Sequence, residues 1–236
     1  MIKFIAETGS TNSDLVGRLA TGELVSDGTW LVADRQTTGR GRLGRCWSDG
    51  SGNFMGSTSM RVTADDPPPA TLALVAGLAV HAAVSGHIPP PARAMLKWPN
   101  DVLVTGVKLA GILLERVGAC VVVGIGVNLA QAPPVPDRET MTLTRYGPAP
   151  DRDSFARTLA AHFAEEVLRW RSCGLAPLIA RWQAAAHPPG TALSVSQPGG
   201  SMLSGTFAGL AQDGALRLAL PDGTTHIIHA GEVLLA

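Results

Sequence analysis

The sequence predicts an α+β chain in which a mixed β-sheet with packed helices is followed by a small β-barrel of the SH3-like kind. Three observations carry that expectation. Strand-like and helical patterns are interleaved over residues 1–187. Within them, successive apolar runs between Met95 and Asn128, separated by Gly-containing turns, read as an antiparallel meander with one face in the core. His187-Pro188-Pro189-Gly190 is the clearest boundary, and beyond it only short, regularly spaced strand-like runs follow. The expected units are therefore residues 1–187 and 188–236.

In chain order, Ile2 to Ala6 is a short β-branched and aromatic run, readable as an edge strand. Ser10, Thr11 and Asn12 precede the helical pattern of Leu15, Val16 and Leu19, so a helix starts there with its free N–H groups close to three polar side chains. Two readings of that trio stand side by side: plain capping, or a polar face turned to a small ligand. Thr29 to Ala33 reads as a buried strand, and Asn53 to Met60 as the strand that leaves the intervening loop. A helix is expected from Leu72 to His87, between Pro67-Pro68-Pro69 and Pro89-Pro90-Pro91. Met95 to Val104 is strand, proline-marked turn, strand; Lys108 to Glu115 and Cys120 to Asn128 complete the meander. Ala130 to Pro150 is Pro-rich and expected to be a surface loop. Helices should cover Asp153 to Trp170, with Asp153 or Ser154 as cap, and Leu175 to Ala185. The final runs are Thr191 to Val195, Met202 to Leu210, Ala215 to Leu220, Thr224 to His229 and Glu232 to Leu235.

Composition excludes several classes. Lys+Arg 19 balances Asp+Glu 19, so no global field recruits nucleic acid or an anionic membrane. Cys46, Cys120 and Cys173 are isolated, without C-x-x-C spacing, which argues against a structural zinc or a disulfide framework and fits a reducing, cytoplasmic setting. The first residues lack a signal-peptide apolar run, and the Ala-rich stretch from Leu72 to Val84 is too short to span a bilayer comfortably.

The most informative stretch lies between Ala33 and Met55, where Arg40, Arg42 and Arg45 alternate with Gly39, Gly41 and Gly44 just before Trp47. Glycine lets backbone approach a ligand, and guanidinium groups bind phosphate and carboxylate. Such a loop is costly to order while empty and is expected to be mobile until an anion arrives. A plain basic surface loop is the competing reading. Gly39 to Gly44 also matches G-x-G-x-x-G, but Cys46 to Gly52 cannot open the helix that a dinucleotide fingerprint requires. No Gly-x-Ser-x-Gly elbow is present, and the histidines lie outside the Gly-rich and Trp-Pro-Asn segments. What remains is cationic and amidic, a set suited to stabilising charge on a phosphoryl group.

Gly-Ser-Thr-Asn at 9–12, Gln36 before Gly-Arg-Gly-Arg-Leu-Gly-Arg-Cys-Trp at 39–47, Lys-Trp-Pro-Asn-Asp at 97–101, Lys-Leu-Ala-Gly-Ile-Leu at 108–113 and Gly-Ile-Gly-Val-Asn-Leu at 124–129 occur in this order. Together they resemble the biotin protein ligases, or biotin–[acetyl-CoA-carboxylase] ligases, along the whole chain. The resemblance implies a class II synthetase-like, biotin–lipoate ligase fold for the catalytic domain and an SH3-like C-terminal domain. With Ser-Thr-Asn so near the start, it implies the monofunctional type, without an N-terminal DNA-binding domain and without DNA as partner. The implied enzyme takes ATP and biotin as substrates with Mg²⁺, forms biotinyl-5′-AMP, and passes biotin to a lysine of a biotin carboxyl carrier domain.

By the same resemblance, Ser10, Thr11, Asn12 and Gln36 hold the biotin ring system, and Gly111 offers backbone to it. Gly39, Arg40, Gly41 and Arg42 belong to a loop folding over biotin and the adenylate, and Arg40→Gly is expected to leak that intermediate. Lys108 bridges the biotin carboxylate and the α-phosphate, so that Lys108, Arg40 and Arg42 form the catalytic set. Read locally, Lys108 would be a surface strand lysine, a reading that loses weight because apolar residues 109–114 follow it. Arg42, Arg45, Trp47, Asn100, Lys108 and Asn128 are placed at ATP, and Asp101 at Mg²⁺. Lys97 is left without a role. Rival readings are a lipoate–protein ligase and a non-catalytic biotin-binding module. Neither homodimerisation nor the identity of the acceptor is decided by these residues.

Overall fold

In a computed structural model, which describes residues 1–48, 50–133, 139–196 and 201–235, the first seven strands form one mixed sheet. They are β1 (Ile2–Thr8), β2 (Trp30–Gln36), β3 (Phe54–Arg61), β4 (Ala94–Lys97), β5 (Asp101–Val104), β6 (Val107–Val117) and β7 (Cys120–Val127), in the order β1-β2-β3-β7-β6-β5-β4. Only β1 and β2 are parallel, and the crossover this demands is helix α1 (Thr11–Ala20). The meander from β4 to β7 is antiparallel throughout.

Helix α1 covers one face of the sheet through Leu15, which packs with Leu31 of β2 and Val122 of β7. The opposite face carries the main core. Helix α2 (Leu72–Ser85) is apolar on nearly every side because it lies buried, packed against the sheet as well as against helices α3 (Arg152–Cys173) and α4 (Leu175–Ala184). Trp30 meets Phe163 edge-on at 5.5 Å, and Phe54 meets Phe155 at 5.8 Å. With α2, α3 and α4 on one face, the other is left to α1 and to the arginine loop.

The remaining strands, β8 (Ala192–Ser196), β9 (Met202–Leu210), β10 (Leu216–Ala219), β11 (Thr225–Ile228) and β12 (Glu232–Leu235), pair antiparallel in the order β11-β10-β9-β8-β12. β11 and β12 are opposite edges of this sheet, yet only residues 229–231 separate them in the chain. The sheet must curl to bring them together. Side chains of the first sheet's unit fasten it, among them Trp98, whose Nε1 donates to Gly214 O at 3.1 Å, and Gln183, whose Oε1 accepts from Leu210 N at 2.7 Å.

Three expectations are corrected. α2 stops at Ser85, with Gly86 as its C-cap, rather than at His87. α3 begins at Arg152, because Asp151 is the residue whose carboxylate accepts from Ser154 N, at 2.8 Å. The Pro-rich stretch is not wholly a surface loop: Met141 and Leu143 are buried, and Met141 N donates to Lys108 O at 2.9 Å. Scattered apolar residues there cover the end of β6 without periodicity, which is why the sequence hides them; residues 134–138 lie outside the described set. Among the described residues, no helix is long and apolar enough to cross a membrane.

Candidate active site

Strand register builds the floor of a cleft on the α1 face. One row runs across five strands as Met55, Gly126, Gly111, Asp101 and Lys97, each paired with the next. A second row runs through Leu31, Ser57, Gly124 and Leu113. The glycines in these rows are there for close approach. A Cβ on Gly126 would lie 2.3 Å from Trp47 Cε2, one on Gly111 3.1 Å from Trp47 Cζ3, and one on Gly124 2.2 Å from Asn12 Oδ1. Trp47 of the arginine loop therefore lies against bare backbone, and Asn12 sinks into the neighbouring gap.

The end of the cleft beneath α1 is polar and uncharged. Ser10 caps α1, its hydroxyl accepting from Ser13 N. Gln36 Oε1 accepts from Thr11 N at 2.8 Å and lies 3.0 Å from Thr11 Oγ1. Thr11 Oγ1 and Ser57 Oγ are 2.7 Å apart, and Ser57 Oγ donates to Asn12 Oδ1 at 2.7 Å. Ser10, Thr11, Asn12, Gln36 and Ser57 are all buried and line the cleft, and of the polar trio Ser10 is the residue that caps α1.

The other end is cationic. Lys108 Nζ sits 2.6 Å from Asp101 Oδ1 and 5.8 Å from the Trp47 ring centroid, while Lys97 Nζ is 3.5 Å from Asp101 Oδ2. Arg42 donates to Asn100 Oδ1 and to Gly231 O, both at 3.1 Å, and Asn100 Nδ2 donates to Ile112 O at 2.7 Å. Burial pulls the Arg42 guanidinium below its ordinary value, with Asp101 and Glu232 opposing. Arg45 grips Glu232 with two bonds, of 2.6 and 2.5 Å, and that carboxylate raises its pKa. Arg40 is more exposed, 3.5 Å from Glu115 and 3.4 Å from Ser13 Oγ. Asn128 is buried at the end of β7 and lines the same cleft.

The cleft thus brings Ser10, Thr11, Asn12, Gln36, Arg40, Gly41, Arg42, Arg45, Trp47, Asn100, Lys108, Gly111 and Asn128 into one lining. Gly39 stands just outside it, where a Cβ would come within 2.5 Å of Trp47 O and so spoil the loop's closure. The loop's arginines face carboxylates of the chain itself, Glu232 at Arg45 and Glu115 at Arg40. One expectation changes. Asp101 does not fit a metal ligand in this arrangement, since each of its oxygens faces a lysine ammonium. Among the described residues no cluster of three or more His, Cys, Asp or Glu could hold an ion.

Sequence reasoning missed Ser57, Glu115, Gly231 and Glu232. Glu115 was within reach, since on a strand it shares the face of Gly111 at every second residue. Glu232 carried no local signal, for its partner Arg45 is 187 residues away in the chain.

The chain belongs to the biotin/lipoate A/B protein ligase family, whose profile matches residues 8–128; residues 195–235 match the biotin protein ligase C-terminal domain. It is 40% identical to the biotin–[acetyl-CoA-carboxylase] ligase of Mycobacterium tuberculosis over 235 residues, 98% of this chain and 87% of that protein. The Paracoccus denitrificans protein of the same name is 38% identical over 240 residues, covering 97% of this chain and 98% of its own. Among solved structures, biotin protein ligase from Aquifex aeolicus in complex with biotin and ATP superposes with a TM-score of 0.85 at 28% identity, covering all of this chain and 98% of that one.

Proposed function

We propose that the chain is an ATP-dependent ligase that activates biotin as biotinyl-5′-AMP and transfers it to a lysine of a biotin carboxyl carrier domain. The observation that carries this reading is a single cleft with a neutral polar end, a flat glycine floor and a cationic end. Its relatives at 38–40% identity bear the name of that activity.

The geometry suits the first step. A biotin carboxylate oxygen attacks the α-phosphorus of ATP, a P–O bond forms, and pyrophosphate leaves with the electron pair of the broken bond. Two anions must meet, and five cations (Lys97, Lys108, Arg40, Arg42, Arg45) against three carboxylates (Asp101, Glu115, Glu232) leave two positive charges in a chain of zero net charge. Lys108 is assigned to bridge carboxylate and α-phosphate, with Asp101 aiming its ammonium. Removing one such donor from a transition state commonly costs ~3 kcal/mol. Thr11, Asn12 and Gln36 are assigned to the ureido ring, whose unmade hydrogen bonds would each cost ~1–3 kcal/mol in a buried site. Arg42, Arg45, Trp47, Asn100 and Asn128 are assigned to the nucleotide. Mg²⁺ would come with the phosphates of ATP, since it keeps few protein ligands and Asp101 is already engaged.

In the second step the neutral amine of the acceptor lysine attacks the acyl carbon, an amide C–N bond forms as the anhydride C–O bond breaks, AMP leaves with that electron pair, and the amine's surplus proton is released to solvent. The arginine loop over the glycine floor would keep water from the mixed anhydride meanwhile. Residues 1–187 would carry this chemistry, and residues 188–236 would brace the loop through Gly231 and Glu232.

Biotin-dependent exchange of labelled pyrophosphate into ATP tests the reading. Exchange with biotin, not displaced by excess lipoate, is the expected result. Biotin binding without exchange would leave a binding module, and exchange with lipoate instead would make the chain a lipoate ligase.

A further inference from the structure

Glu115 sits on β6 two residues beyond Leu113 and four beyond Gly111, on the cleft face but one step behind the lining. Its side chain is 23% exposed, and its two oxygens do different things. Oε2 accepts from Asn12 Nδ2 at 2.7 Å; Oε1 lies 3.5 Å from Arg40 Nη1.

The first contact fixes a direction. An ionised carboxylate only accepts, so Asn12 must turn its NH₂ to Glu115 and its carbonyl to Ser57. Ser57 then gives its single hydroxyl hydrogen to Asn12 Oδ1. The short Thr11–Ser57 contact of 2.7 Å then draws on the Thr11 hydroxyl hydrogen, which is shared with Gln36 Oε1 at 3.0 Å, while Gln36 Oε1 also accepts from the Thr11 backbone N–H. Each hydroxyl has one hydrogen, so the carboxylate fixes the sense of the row from Ser57 to Asn12 to Glu115, and Ser57 Oγ is left to accept from Thr11. The consequence is that Thr11 Oγ1 is left to the cleft as an acceptor and Gln36 Nε2 as a donor, a polarity that matches the N–H and C=O groups of a cyclic urea.

We propose that Glu115 is a positioning residue for biotin: it sets the hydrogen-bond direction of the Thr11–Ser57–Asn12 row and, through Arg40, ties the arginine loop to that row. This inference rests on the ligase reading above. Without the carboxylate, Asn12 can flip, Ser57 can reverse, and the ring's partners lose their fixed sense. Lys108 and Asp101 stand at the other end of the cleft and are untouched.

The test uses the full chain with Glu115→Ala and Glu115→Gln. Glutamine keeps an acceptor oxygen for Asn12 Nδ2 but drops the charge facing Arg40; alanine removes both. Pyrophosphate exchange gives KM for biotin and for ATP, titration calorimetry gives the biotin Kd, and thermal melts check the fold. Glu115→Ala is expected to raise KM and Kd for biotin about tenfold, the order expected for one hydrogen bond to a charged group, with KM for ATP and kcat within about twofold of wild type. Glu115→Gln is expected to recover most of the biotin affinity. Unchanged biotin affinity in Glu115→Ala overturns the inference while wild-type exchange upholds the ligase reading. A parallel rise of both KM values, or no recovery with glutamine, overturns it as well. Wild-type protein without biotin-dependent exchange sinks the ligase reading itself.

Discussion

Gly126→Ala separates loop closure from fold stability. Gly126 is on β7, paired with Met55 on one side and Gly111 on the other, so its backbone cannot move without disturbing both neighbours. Its φ lies outside the left-handed region, so alanine is conformationally acceptable there, and the loss of unfolded-chain entropy favours the native state by ~0.4–1 kcal/mol. The new Cβ, however, would stand 2.3 Å from Trp47 Cε2 and 2.4 Å from Cζ2, where ordinary contact begins at 3.4 Å. The indole must withdraw by about 1 Å or leave the floor, and overpacking of this kind costs ~1–3 kcal/mol. Since the arginine loop lies on the surface and the strand does not, that cost falls on the closed loop. It corresponds to a drop of about 5- to 150-fold in the closed population. Thermal melting should be unchanged or slightly raised. Trypsin should cut faster after Arg40, Arg42 and Arg45, and KM for biotin and ATP should both rise at least about fivefold. Wild-type protease resistance together with wild-type KM values would refute the placement of Trp47 on the glycine floor as the latch of the loop.

Two further outcomes follow from the geometry. Arg42 is half-buried and bonded to Asn100 and Gly231, whereas Arg40 is exposed and only loosely paired, so Arg42→Ala should release more biotinyl-AMP than Arg40→Gly; incubating each variant with biotin, ATP and a bystander protein, then blotting for stray biotin, ranks them, and the reverse order would contradict the bracing role of Gly231. Burial lowers the pKa of His81 and of His187, the latter also repelled by Lys97 and Arg93, so in the folded chain both resist protonation. The unfolded chain takes up those protons near the ordinary imidazole value of about 6.5, so stability present above that pH is lost as pH falls below it. Urea titrations at pH 7.5 and 5.5 should show the loss, reduced in His187→Gln, and equal stability at both pH values would count against it.

Elements were legible where one physical signal dominated. The meander announced itself through Gly-punctuated apolar runs, and α1 through a polar trio ahead of an apolar stripe. Helix ends were displaced by one to three residues; at the start of α3 caps compete locally, since Asp151, Asp153 and Ser154 offer similar chemistry, and only the non-helical backbone at Asp151 selects it. The buried pair Met141 and Leu143 was invisible because neither periodicity nor composition marks a loop that fills the end of a strand. In the candidate site, the arginines, the lysines and the amides could be named from the sequence as residue types. Their partners were harder to name: strand alternation puts Glu115 on the face of Gly111, but Glu232 looks like any solvated carboxylate until the fold brings it to Arg45.

Those partners also explain how the cleft keeps its cations in order before any substrate arrives. Arg45 is about half exposed although Glu232 is partly buried, and ion pairs with an exposed partner are worth little, ~0–1 kcal/mol at the surface, so an incoming phosphate can compete for Arg45. Lys108 and Asp101 are much more enclosed, and removing one partner there would strand a charge, which costs far more than the pair is worth. The consequence is a division of labour along the cleft. The rim pairing is the more exchangeable, while the deep pairing holds the Lys108 ammonium in place at the cationic end of the cleft. With Lys97 on the other oxygen of Asp101, sharing that carboxylate still leaves a surplus of positive charge at the reacting end. Electrostatic preorganisation of this sort requires no rearrangement at the moment of reaction, and it is set by the register that puts Met55, Gly126, Gly111, Asp101 and Lys97 in one row.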